Sequence, residues 1–443
     1  MIKIHIPKHW PYPISSVAEF ITKVEHHLCC AKRNNVCSNE FVMKFEMVDE
    51  PIISLRFDDS SVLYIDVSIG TNSSNHSFLS QESQESQESQ ESEPFISLYY
   101  VHDFLLQKSN LHSRSANPPA YNKKELLLTS APNGTDYLIS SRKGIQFERL
   151  PIDIATHFSW FVVLLALEFT IEDSLLLARS LGHVSRETSW PVKRQDFACP
   201  VDWVFDESNV PHCKEQLDSP KPFPSTLSEI SLYPVVDNNL WLEQLLQLGV
   251  KTIQLRIKNA EKRSLEKAIE EAVQLGKTYQ AAVYINDHWQ LALKCQAYGV
   301  HLGQDDISQE NISLLQQANI RLGISTHGYF EILRVYRSYP SYIALGHVFS
   351  TTTKNMPSRP QGLYKLALYQ KFIEGLYQSL GSKLIPTVAI GGIQLDNARE
   401  VYRTGVNSVA VVRAVSSTLP NLSSVVREFE MLKLREVTDV NSN

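Results

Sequence analysis

Three polar residues, two of them basic, alternate along an apolar run in the second half of the chain and along the exit of that run. They are Gln254, Arg256 and Lys258, and their spacing of two points them the same way if the run is a strand. A guanidinium fork beside a point-charge ammonium is a combination that binds a diphosphate group. A layer of internal salt bridges is the structural alternative for the same three residues.

A second polar group follows a later apolar run and is also of a type that binds phosphate. Thr351, Thr353 and Lys354 supply two hydroxyls and an ammonium on one loop. Gly391 and Gly392 end the next such run, and glycines let backbone N–H groups approach an anion closely. Each feature alone is also typical of a surface loop or a tight turn. The prediction of an anion site therefore depends on a fold that brings them together.

Carboxylates follow two further runs. Asn286 and Asp287 end one of them, and Asp306 follows the other. Adjacent strands of a sheet lie about 4.8 Å apart, so Asp287 and Asp306 would be close enough to share one hard cation. Two carboxylates completed by substrate oxygens and water suit Mg²⁺. The alternative for Asp305 and Asp306 is an N-cap of the next helix, although Ser308 offers the same cap.

The elements that must position these groups alternate between strand and helix. Apolar runs rich in β-branched residues are each followed by an amphipathic stretch of helical period. The predicted strands are Leu232–Asp237, Thr252–Lys258, Ala281–Asp287, Val300–Gly303, Arg321–Thr326, Tyr342–Phe349, Ile385–Gly391 and Ser408–Arg413. Eight such units predict an α/β fold with a C-terminal (β/α)8 TIM barrel, in which all strand ends meet on one face. A doubly wound open sheet is the less favoured alternative.

Composition restricts the class of protein and its partners. The chain has 443 residues, of which 43% are apolar and 20% charged, as in soluble globular proteins. A net charge of −6 provides no overall basic field, so nucleic acid is not an expected partner. The six cysteines lack zinc spacing and predict free thiols in a reducing compartment, so we expect a cytoplasmic protein. The apolar run Phe158–Phe169 is shorter than the roughly 20 residues that span a bilayer, so we expect a buried helix and no membrane partner.

Two polar segments indicate the domain organisation. Residues 81–92 are four copies of Gln-Glu-Ser, which cannot bury apolar surface and predict a solvated loop. The prolines and small polar residues of Asp218–Ser225 are typical of a linker. We therefore predict a divergent α/β N-terminal domain at 1–220, with a strand at Val62–Val67, followed by the barrel at 221–443. The sequence is compatible with a homo-oligomer.

Taken together, six short strings in residues 231–435 resemble thiamine-phosphate synthases in their order and spacing. The strings are Gln254-Leu-Arg256-Ile-Lys258, Asn286-Asp287, His301-Leu-Gly303-Gln304-Asp305-Asp306, Gly323-Ile-Ser325-Thr-His327, Thr351-Thr-Thr353-Lys354 and Gly391-Gly392-Ile393. The resemblance implies a (β/α)8 barrel that joins hydroxymethylpyrimidine diphosphate to a thiazole phosphate, with thiamine monophosphate and diphosphate as products. These small molecules are the implied partners, and Mg²⁺ is the implied cofactor.

The same resemblance implies roles for individual residues. The implied metal ligands are Asp287 and Asp306. The implied catalytic residues are Arg256, Lys258, Ser325 and Lys354. The implied substrate-binding residues are Gln254, Arg256, Lys258 and Asn286 at the pyrimidine diphosphate, Ser325 and Lys354 at the pyrimidine and its diphosphate, and Thr351, Thr353, Gly392, Val412 and Arg413 at the thiazole phosphate. Arg413 departs from the small residue that the resemblance leads us to expect there.

The implied reaction needs no general base. Diphosphate leaves from a benzylic-type carbon, so the main task is to stabilise the charge that develops on it, with metal and cationic side chains. The thiazole nitrogen is already a nucleophile. Two alternatives stay open at this point. A thiazole-phosphate tautomerase would not need the diphosphate clamp or the paired carboxylates, and a ligand-binding regulatory barrel would bind without turnover.

A second resemblance covers a smaller part of the N-terminal domain. Residues 122–187 are similar to the C-terminal part of hydroxymethylpyrimidine kinases of the ribokinase-like group. The matching segments are Leu126–Thr129, Gly134–Ile139, Phe158–Leu167 and Thr170–Arg179. Such kinases carry a glycine-rich turn with a catalytic Asp before this helix, and its backbone N–H groups form an anion hole. The corresponding stretch Ile154–Trp160 contains neither glycine nor aspartate, so we expect a kinase-like domain without phosphoryl transfer.

Overall fold

The chain folds into two compact units. The computed structural model describes residues 1–8, 14–49, 52–70, 95–101, 124–130, 135–140, 143–148, 151–184, 189–205, 211–213, 221–226, 232–258, 261–351, 359–379, 384–416 and 421–440. The first unit comprises Met1–Pro191 and Gln195–Lys214, and the second comprises Val192–Arg194 and Glu215–Asn443. The Gln-Glu-Ser repeat at 81–92 lies outside the described residues. The domain boundary predicted between residues 220 and 221 stays a prediction.

The first unit is built on one mixed sheet. Within the described residues its strands are β1 Ile2–Pro7, β2 Met43–Val48, β3 Ile53–Arg56, β4 Val62–Gly70, β5 Phe95–Val101, β6 Lys124–Ser130, β7 Thr135–Ser140, β8 Lys143–Glu148, β9 Cys199–Phe205 and β10 Pro211–Cys213. They lie in the order β10-β9-β8-β7-β6-β5-β4-β3-β1-β2. The strands β4, β5 and β6 run parallel to one another. The strand predicted at Val62–Val67 is confirmed as part of β4.

Among the helices of this unit, Ile154–Ala166 packs against both Val17–Arg33 and Ile171–Leu181. The middle helix is buried at every position from His157 onwards. This burial confirms the prediction of a buried helix for the apolar run that begins at Phe158. Because this helix is buried on all faces from His157 onwards, its sequence lacks the polar stripe of a surface helix.

A buried ion pair lies inside the first unit. Arg179 donates from Nε and Nη2 to the two carboxylate oxygens of Asp136, and both side chains are almost fully buried. His157 Nε2 lies 3.6 Å from Asp136 Oδ2, and its Nδ1 lies 3.0 Å from the hydroxyl of Tyr100. Burial alone would raise the pKa of Asp136, but Arg179 and His157 outweigh it and hold that pKa well below the usual range.

The second unit is a closed barrel of parallel strands. In chain order these are β11 Leu232–Val236, β12 Thr252–Leu255, β13 Ala282–Asn286, β14 Gly299–Leu302, β15 Arg321–Thr326, β16 Tyr342–Gly346, β17 Thr387–Ile390 and β18 Ser408–Val411. Each strand pairs with the next, and β18 pairs with β11. The predicted (β/α)8 barrel is therefore confirmed, and the open doubly wound sheet is excluded. Most strands end sooner than predicted; β12, for example, ends at Leu255 and not at Lys258.

Helices follow the barrel strands on the outside. Their bounds are Asn239–Gln247, Lys262–Thr278, Trp289–Lys294, Gln309–Gln317, Tyr329–Val335, Gly362–Ser379, Ala398–Arg403, Arg413–Ser416 and Leu422–Val440. The helix Lys262–Thr278 is amphipathic: its buried side chains include Leu265, Ile269 and Val273, which are spaced by four residues. Within the described residues, no helix combines the length and the apolar character needed to cross a bilayer.

The interior of the barrel contains three buried tyrosines, Tyr233, Tyr284 and Tyr342, whose rings contact one another. Two glycines make room for them. A Cβ at Gly299 would lie 2.4 Å from Cε1 of Tyr284, and a Cβ at Gly323 would lie 2.1 Å from Cζ of Tyr342. The strands β14 and β15 thus lack side chains where the rings of neighbouring strands occupy the core.

A short segment, Lys221–Thr226, contacts the barrel near the starts of β15 and β16. We call it the base segment. The side chain of buried Phe223 and several hydrogen bonds hold it in place. The partners include Tyr339, whose carbonyl accepts from Phe223 N–H at 3.0 Å, and Tyr284, whose hydroxyl donates to Thr226 Oγ1 at 2.9 Å. The side chains of Arg321 and Ser341 donate to carbonyls of the same segment. Although its composition is that of a linker, the base segment is part of the barrel.

Candidate functional site

The proposed basic clamp lies where β12 ends. Gln254 is buried inside the barrel, and its Nε2 donates to the hydroxyl of Tyr233 at 3.2 Å. Arg256 is half-buried and Lys258 is exposed. The loop that carries them is held by His288 Nε2, which lies 3.2 Å from the carbonyl oxygen of Ile257. Since a carbonyl only accepts, this ring nitrogen carries a proton.

Arg256 and Lys258 are the most informative cations of this face because of the ion pairs that they do not form within the described residues. Considering only the part of the chain that the structure describes, neither side chain forms an ion pair. The alternative of an internal salt-bridge layer therefore finds no support in this part of the chain. Cations without a partner at the carboxyl end of a barrel strand are available to an anionic ligand.

Asp287 directly follows β13 in a left-handed backbone conformation, with φ of 61°. Its N–H donates to the carbonyl oxygen of His301 on β14 at 3.0 Å, which fixes this exit against the neighbouring strand. The carboxylate is exposed, while the preceding Asn286 is buried. Aspartate is one of the few residues that tolerate positive φ, so the turn and the carboxylate suit the same residue type.

Asp306 ends a single 3₁₀ turn, Gln304–Asp306, that follows β14. Its side chain is exposed, and the N-cap of the next helix is Ser308, which forms a capping box with Asn311. The alternative role of Asp306 as that cap is therefore excluded. Asp287 and Asp306 follow adjacent strands, and their hard oxygen atoms are of the kind that Mg²⁺ binds.

The two carboxylates do not make a complete metal site by themselves. Among the described residues, no group of three or more His, Cys, Asp and Glu side chains is placed to hold a metal ion. Magnesium usually keeps several waters and binds through one or two carboxylates together with substrate phosphates. The donor set at Asp287 and Asp306 fits that mode of binding.

The two glycines after β17 bring its exit against the exit of β16. Gly391 has φ of 104° and Gly392 has φ of 66°, a region that side chains disfavour. A Cβ at Gly392 would lie 2.7 Å from the carbonyl oxygen of Ser350, the residue before half-buried Thr351. The carbonyl of Gly392 in turn accepts from Asn397 Nδ2 at 3.1 Å. Only glycine allows this close approach.

The exit of β18 supplies the last predicted residues of the site. Val412 is half-buried and packs against the barrel core, and Arg413 is exposed at the start of the short helix Arg413–Ser416. Thr353 and Lys354, which the sequence also predicts in the site, lie outside the described residues. The structure thus places the other predicted residues at the carboxyl ends of β12, β13, β14, β15, β16, β17 and β18.

Ser325 lies on β15 and is joined to the buried polar core of the barrel. Its Oγ is 2.8 Å from Nε2 of His301, and Nδ1 of His301 is 2.7 Å from the hydroxyl of Tyr342. The hydroxyls of Tyr342 and Tyr233 are 2.7 Å apart, and Tyr233 accepts from Gln254. We call these five residues the tyrosine–histidine chain. Burial raises the pKa of Tyr233 and of Tyr342 above the ordinary value, so both hydroxyls keep their protons at neutral pH.

Three of these residues were not predicted as functional from the sequence. Tyr233 and Tyr342 contribute to the site only through contacts between strands far apart in the chain, which spacing does not show. A signal for His301 was available, because it belongs to one of the strings quoted above. His288 was not predicted as functional either, although it directly follows the predicted metal ligand Asp287.

The fold and the site define a class of protein. It is a closed (β/α)8 barrel whose strand exits carry two cations that form no ion pair with any described residue, hard carboxylates and a glycine turn on one face, which is where enzymes of this fold bind phosphorylated ligands.

Comparisons with known proteins identify the family. Residues 232–415 match the family described as thiamine monophosphate synthase. The thiamine-phosphate synthase of Yersinia pestis (strain Pestoides F) is 48% identical over 217 residues, which cover 49% of this chain and 97% of that protein. The one from Pectobacterium atrosepticum is 46% identical over 215 residues, covering 48% and 97%. A solved thiamine phosphate pyrophosphorylase from Pyrococcus furiosus is 32% identical, covers 46% of this chain and 96% of that chain, and has a TM-score of 0.40. The chain therefore belongs to the thiamine-phosphate synthase family.

Proposed function

We propose that the barrel joins 4-amino-2-methyl-5-hydroxymethylpyrimidine diphosphate to 4-methyl-5-(2-phosphoethyl)thiazole and releases thiamine monophosphate and diphosphate. The observation that carries the proposal is the pair Arg256 and Lys258, which form no ion pair among the described residues and follow a strand on the same face of the barrel as Asp287 and Asp306, in a member of this family. A tautomerase has no leaving diphosphate, and so gives no reason for this combination.

The proposed reaction breaks one bond and makes one. The C–O bond between the pyrimidine methylene carbon and the diphosphate breaks, and its electron pair leaves with the diphosphate. The lone pair of the thiazole nitrogen then forms the new C–N bond, and no proton is lost. Electron donation from the aminopyrimidine ring favours a dissociative, cation-like path, so stabilisation of the leaving group is the main contribution required of the protein.

Arg256 and Lys258 supply that stabilisation in the proposed site. The guanidinium binds two diphosphate oxygens as a fork, and the ammonium adds a compact charge. His288 positions both by holding the carbonyl of Ile257 between them. Asp287 and Asp306 would hold Mg²⁺, which would neutralise diphosphate charge when bound. The glycine turn Gly391-Gly392, close to Ser350 and Thr351, offers a place for the thiazole phosphate.

The test is a coupling assay on the full-length protein with both substrates and a magnesium titration. Thiamine monophosphate is detected after oxidation to its fluorescent thiochrome form. We expect magnesium-dependent product, and we expect Arg256→Met to lower turnover by roughly 10²-fold to 10³-fold, the scale for removing one group that stabilises developing charge. Arg263→Met is the matched control, because Arg263 is exposed on the helix Lys262–Thr278 outside the site.

The outcomes separate the proposal from its alternatives. Binding of both substrates without product would favour a regulatory barrel and overturn the synthase assignment. Equal activity of the Arg256 and Arg263 variants would refute the role of the clamp. The location of the protein in the cytoplasm and its assembly into a homo-oligomer stay predictions.

We further propose that the first unit does not transfer phosphoryl groups. The helix that corresponds to the kinase anion hole, Ile154–Ala166, begins with its own cap: Asp153 accepts from Thr156 N–H at 2.9 Å. A carboxylate at this helix start repels a phosphate that would use the same N–H groups. The assay is incubation of the full-length protein with hydroxymethylpyrimidine and ATP. Formation of a phosphorylated pyrimidine would contradict this proposal.

A further inference from the structure

Gln361 is a buried residue of the barrel to which the proposed reaction assigns no role. It directly precedes the helix Gly362–Ser379, and its side chain reaches the ends of two neighbouring strands. Its Nε2 donates to the carbonyl oxygen of Gly346, the last residue of β16, at 2.6 Å. It also donates to the carbonyl oxygen of His327, the residue after β15, at 3.1 Å. One side-chain amide therefore joins the carboxyl ends of β15 and β16.

The chemistry of the two partners fixes the orientation of this amide. Carbonyl oxygens only accept hydrogen bonds, so the nitrogen of the Gln361 side chain, and not its oxygen, faces both of them. The side-chain oxygen Oε1 is buried and forms no hydrogen bond with any described residue, which is unfavourable for a polar atom. What glutamine supplies at this position, and a methionine of similar length would not, is the pair of N–H donors.

The backbone beside this side chain pairs with residues 347–349, which we call the β16 exit. The N–H of Gln361 donates to the carbonyl oxygen of His347, and the N–H of Gly362 donates to that of Val348, both at 2.9 Å. Gly362 has φ of 69°, a conformation that suits glycine. The end of β16 and its exit are thus held on one side by the side chain and backbone of Gln361 and by the backbone of Gly362.

The other side of the β16 exit lies against the glycine turn. The N–H of Phe349 donates to the carbonyl oxygen of Gly391 at 3.0 Å. A Cβ at Gly392 would lie 2.7 Å from Cβ of Phe349, so the two segments are in close contact. The β16 exit is therefore a strip of backbone between Gln361 and the glycine turn. Because there is so little room, a shift of this strip would also move Gly392.

We propose that Gln361 is a positioning residue for the thiazole phosphate. The inference rests on the proposed function, in which that phosphate lies at the glycine turn and Thr351. Gln361 does not touch the ligand; its two N–H groups fix the β16 exit to β15 and so fix the surface against which the glycine turn packs. The cations proposed for the pyrimidine diphosphate follow β12 and do not depend on this contact. Loss of the amide should therefore weaken binding of one substrate and not of the other.

The test is calorimetric titration of the full-length protein with thiazole phosphate, in the presence of magnesium and inorganic diphosphate so that no turnover occurs. We expect Gln361→Met to bind thiazole phosphate about tenfold more weakly than the wild type, the scale of one or two lost hydrogen bonds. Its affinity for the pyrimidine diphosphate, titrated separately, should change less than about twofold. Equal losses for the two substrates would indicate general loosening of the barrel and would overturn the proposal.

Gln370→Met is the matched control for Gln361→Met. Gln370 is also buried, lies on the helix Gly362–Ser379, and has an amide that forms two hydrogen bonds. These bonds join it to Glu374 at 2.8 Å and to Thr387 at 2.7 Å, and Thr387 begins β17, at the opposite end of the barrel from the strand exits. The control should lose stability in urea unfolding and keep its affinity for thiazole phosphate. Equal losses of affinity in the two variants would contradict the inference.

Gln361→Glu tests the two donors directly. A carboxylate only accepts, so it repels the two carbonyl oxygens, whereas the neutral acid has one O–H and restores one hydrogen bond. Burial beside carbonyls raises the pKa of such a carboxyl, so the variant should bind about tenfold more weakly than the wild type at about pH 8 and about threefold more weakly at about pH 6. Taking the ratio removes the contributions of the titratable neighbours His327, His347 and Glu331, which both proteins share.

A ratio that does not change with pH would refute the donor role of Gln361, and this ratio carries the test if Gln361→Met does not fold. In the coupling assay, Gln361→Met should raise KM for thiazole phosphate about tenfold and change kcat by less than about threefold, because the groups that stabilise the leaving diphosphate are unchanged. Product formation by the wild type is measured in parallel. If no product forms, the synthase assignment fails; product together with an unchanged affinity of Gln361→Met refutes the role of Gln361 alone.

Discussion

Replacing Gly323 with alanine should weaken both the barrel and its affinity for the pyrimidine substrate. An added Cβ would lie 2.1 Å from Cζ and 2.4 Å from the hydroxyl oxygen of Tyr342. Non-bonded heavy atoms pack best at about 3.5–4.0 Å, so the ring must move by roughly 1.5 Å. That movement breaks the hydrogen bonds of Tyr342 to His301 and Tyr233, which are both 2.7 Å long.

The magnitude follows from these two effects. Overpacking a core costs about 1–3 kcal/mol, and each lost hydrogen bond costs about 0.5–1.5 kcal/mol. We therefore expect Gly323→Ala to lower the free energy of unfolding by roughly 2–6 kcal/mol. We also expect about tenfold weaker binding of the pyrimidine diphosphate, because His301, the partner of Ser325, loses its hydrogen bond to Tyr342. Urea unfolding measures the first quantity, and calorimetry under native conditions measures the second.

Gly299→Ala is the matched control. Its Cβ would lie 2.4 Å from Tyr284, a second buried tyrosine that takes no part in the chain to Ser325. The control should therefore lose similar stability and retain its affinity. Wild-type stability of Gly323→Ala would refute the packing argument. Equal losses of affinity in the two variants would refute the link between Tyr342 and the substrate.

Further predictions concern the metal site, the first unit and the base segment. Asp306→Ala should lower turnover by roughly 10²-fold and weaken its dependence on magnesium, and near-normal kinetics across a magnesium titration would exclude Asp306 as a ligand. Arg179→Met should destabilise the first unit by about 3–5 kcal/mol because it leaves Asp136 buried without its cation, whereas the exposed Arg403→Met should cost less than about 1 kcal/mol; urea unfolding compares them. Since the pKa of Asp136 is lowered on folding, its contribution to stability is full above about pH 4 and is lost as the pH falls further, which acid titration of unfolding midpoints checks. Phe223→Ala should cost about 3–5 kcal/mol, and a wild-type unfolding midpoint would show that the base segment does not stabilise the barrel.

The barrel was predictable from the sequence because each strand carries its own local signal. Runs such as Thr252–Leu255 and Thr387–Ile390 are apolar, β-branched and followed by amphipathic helices, so no long-range information is needed to recognise them. The strand β12 ends at Leu255, and the N–H of Arg256 makes a last hydrogen bond to the carbonyl oxygen of Val236 on β11 at 2.7 Å. Alternation of side chains shows which residues share a face, but not where hydrogen bonding between strands stops.

The candidate site was predictable where a residue type alone indicates chemistry. An arginine, an aspartate and paired glycines at predicted strand ends indicate an anion site by their residue types. The contribution of Tyr342 was not predictable, because a buried tyrosine is ordinarily a core residue and its contact with His301 joins two strands. The base segment was also hidden, since the prolines and polar residues of Lys221–Thr226 indicate a linker without showing which surface it packs on.

The closure of the barrel by β11 and β18 has a consequence for the order in which the protein is made. The ribosome delivers β11 first and β18 last, so the closing pair waits for almost the whole second unit, roughly 10 s or more at ordinary rates of translation. Until then the partly synthesised sheet has two unpaired edge strands, and such edges are sites of aggregation. The base segment is synthesised before β11, and its hydrogen-bond partners Arg321 and Ser341 are synthesised well before β18. It can therefore hold the start of the unfinished sheet beside its middle strands while the last two are still being synthesised.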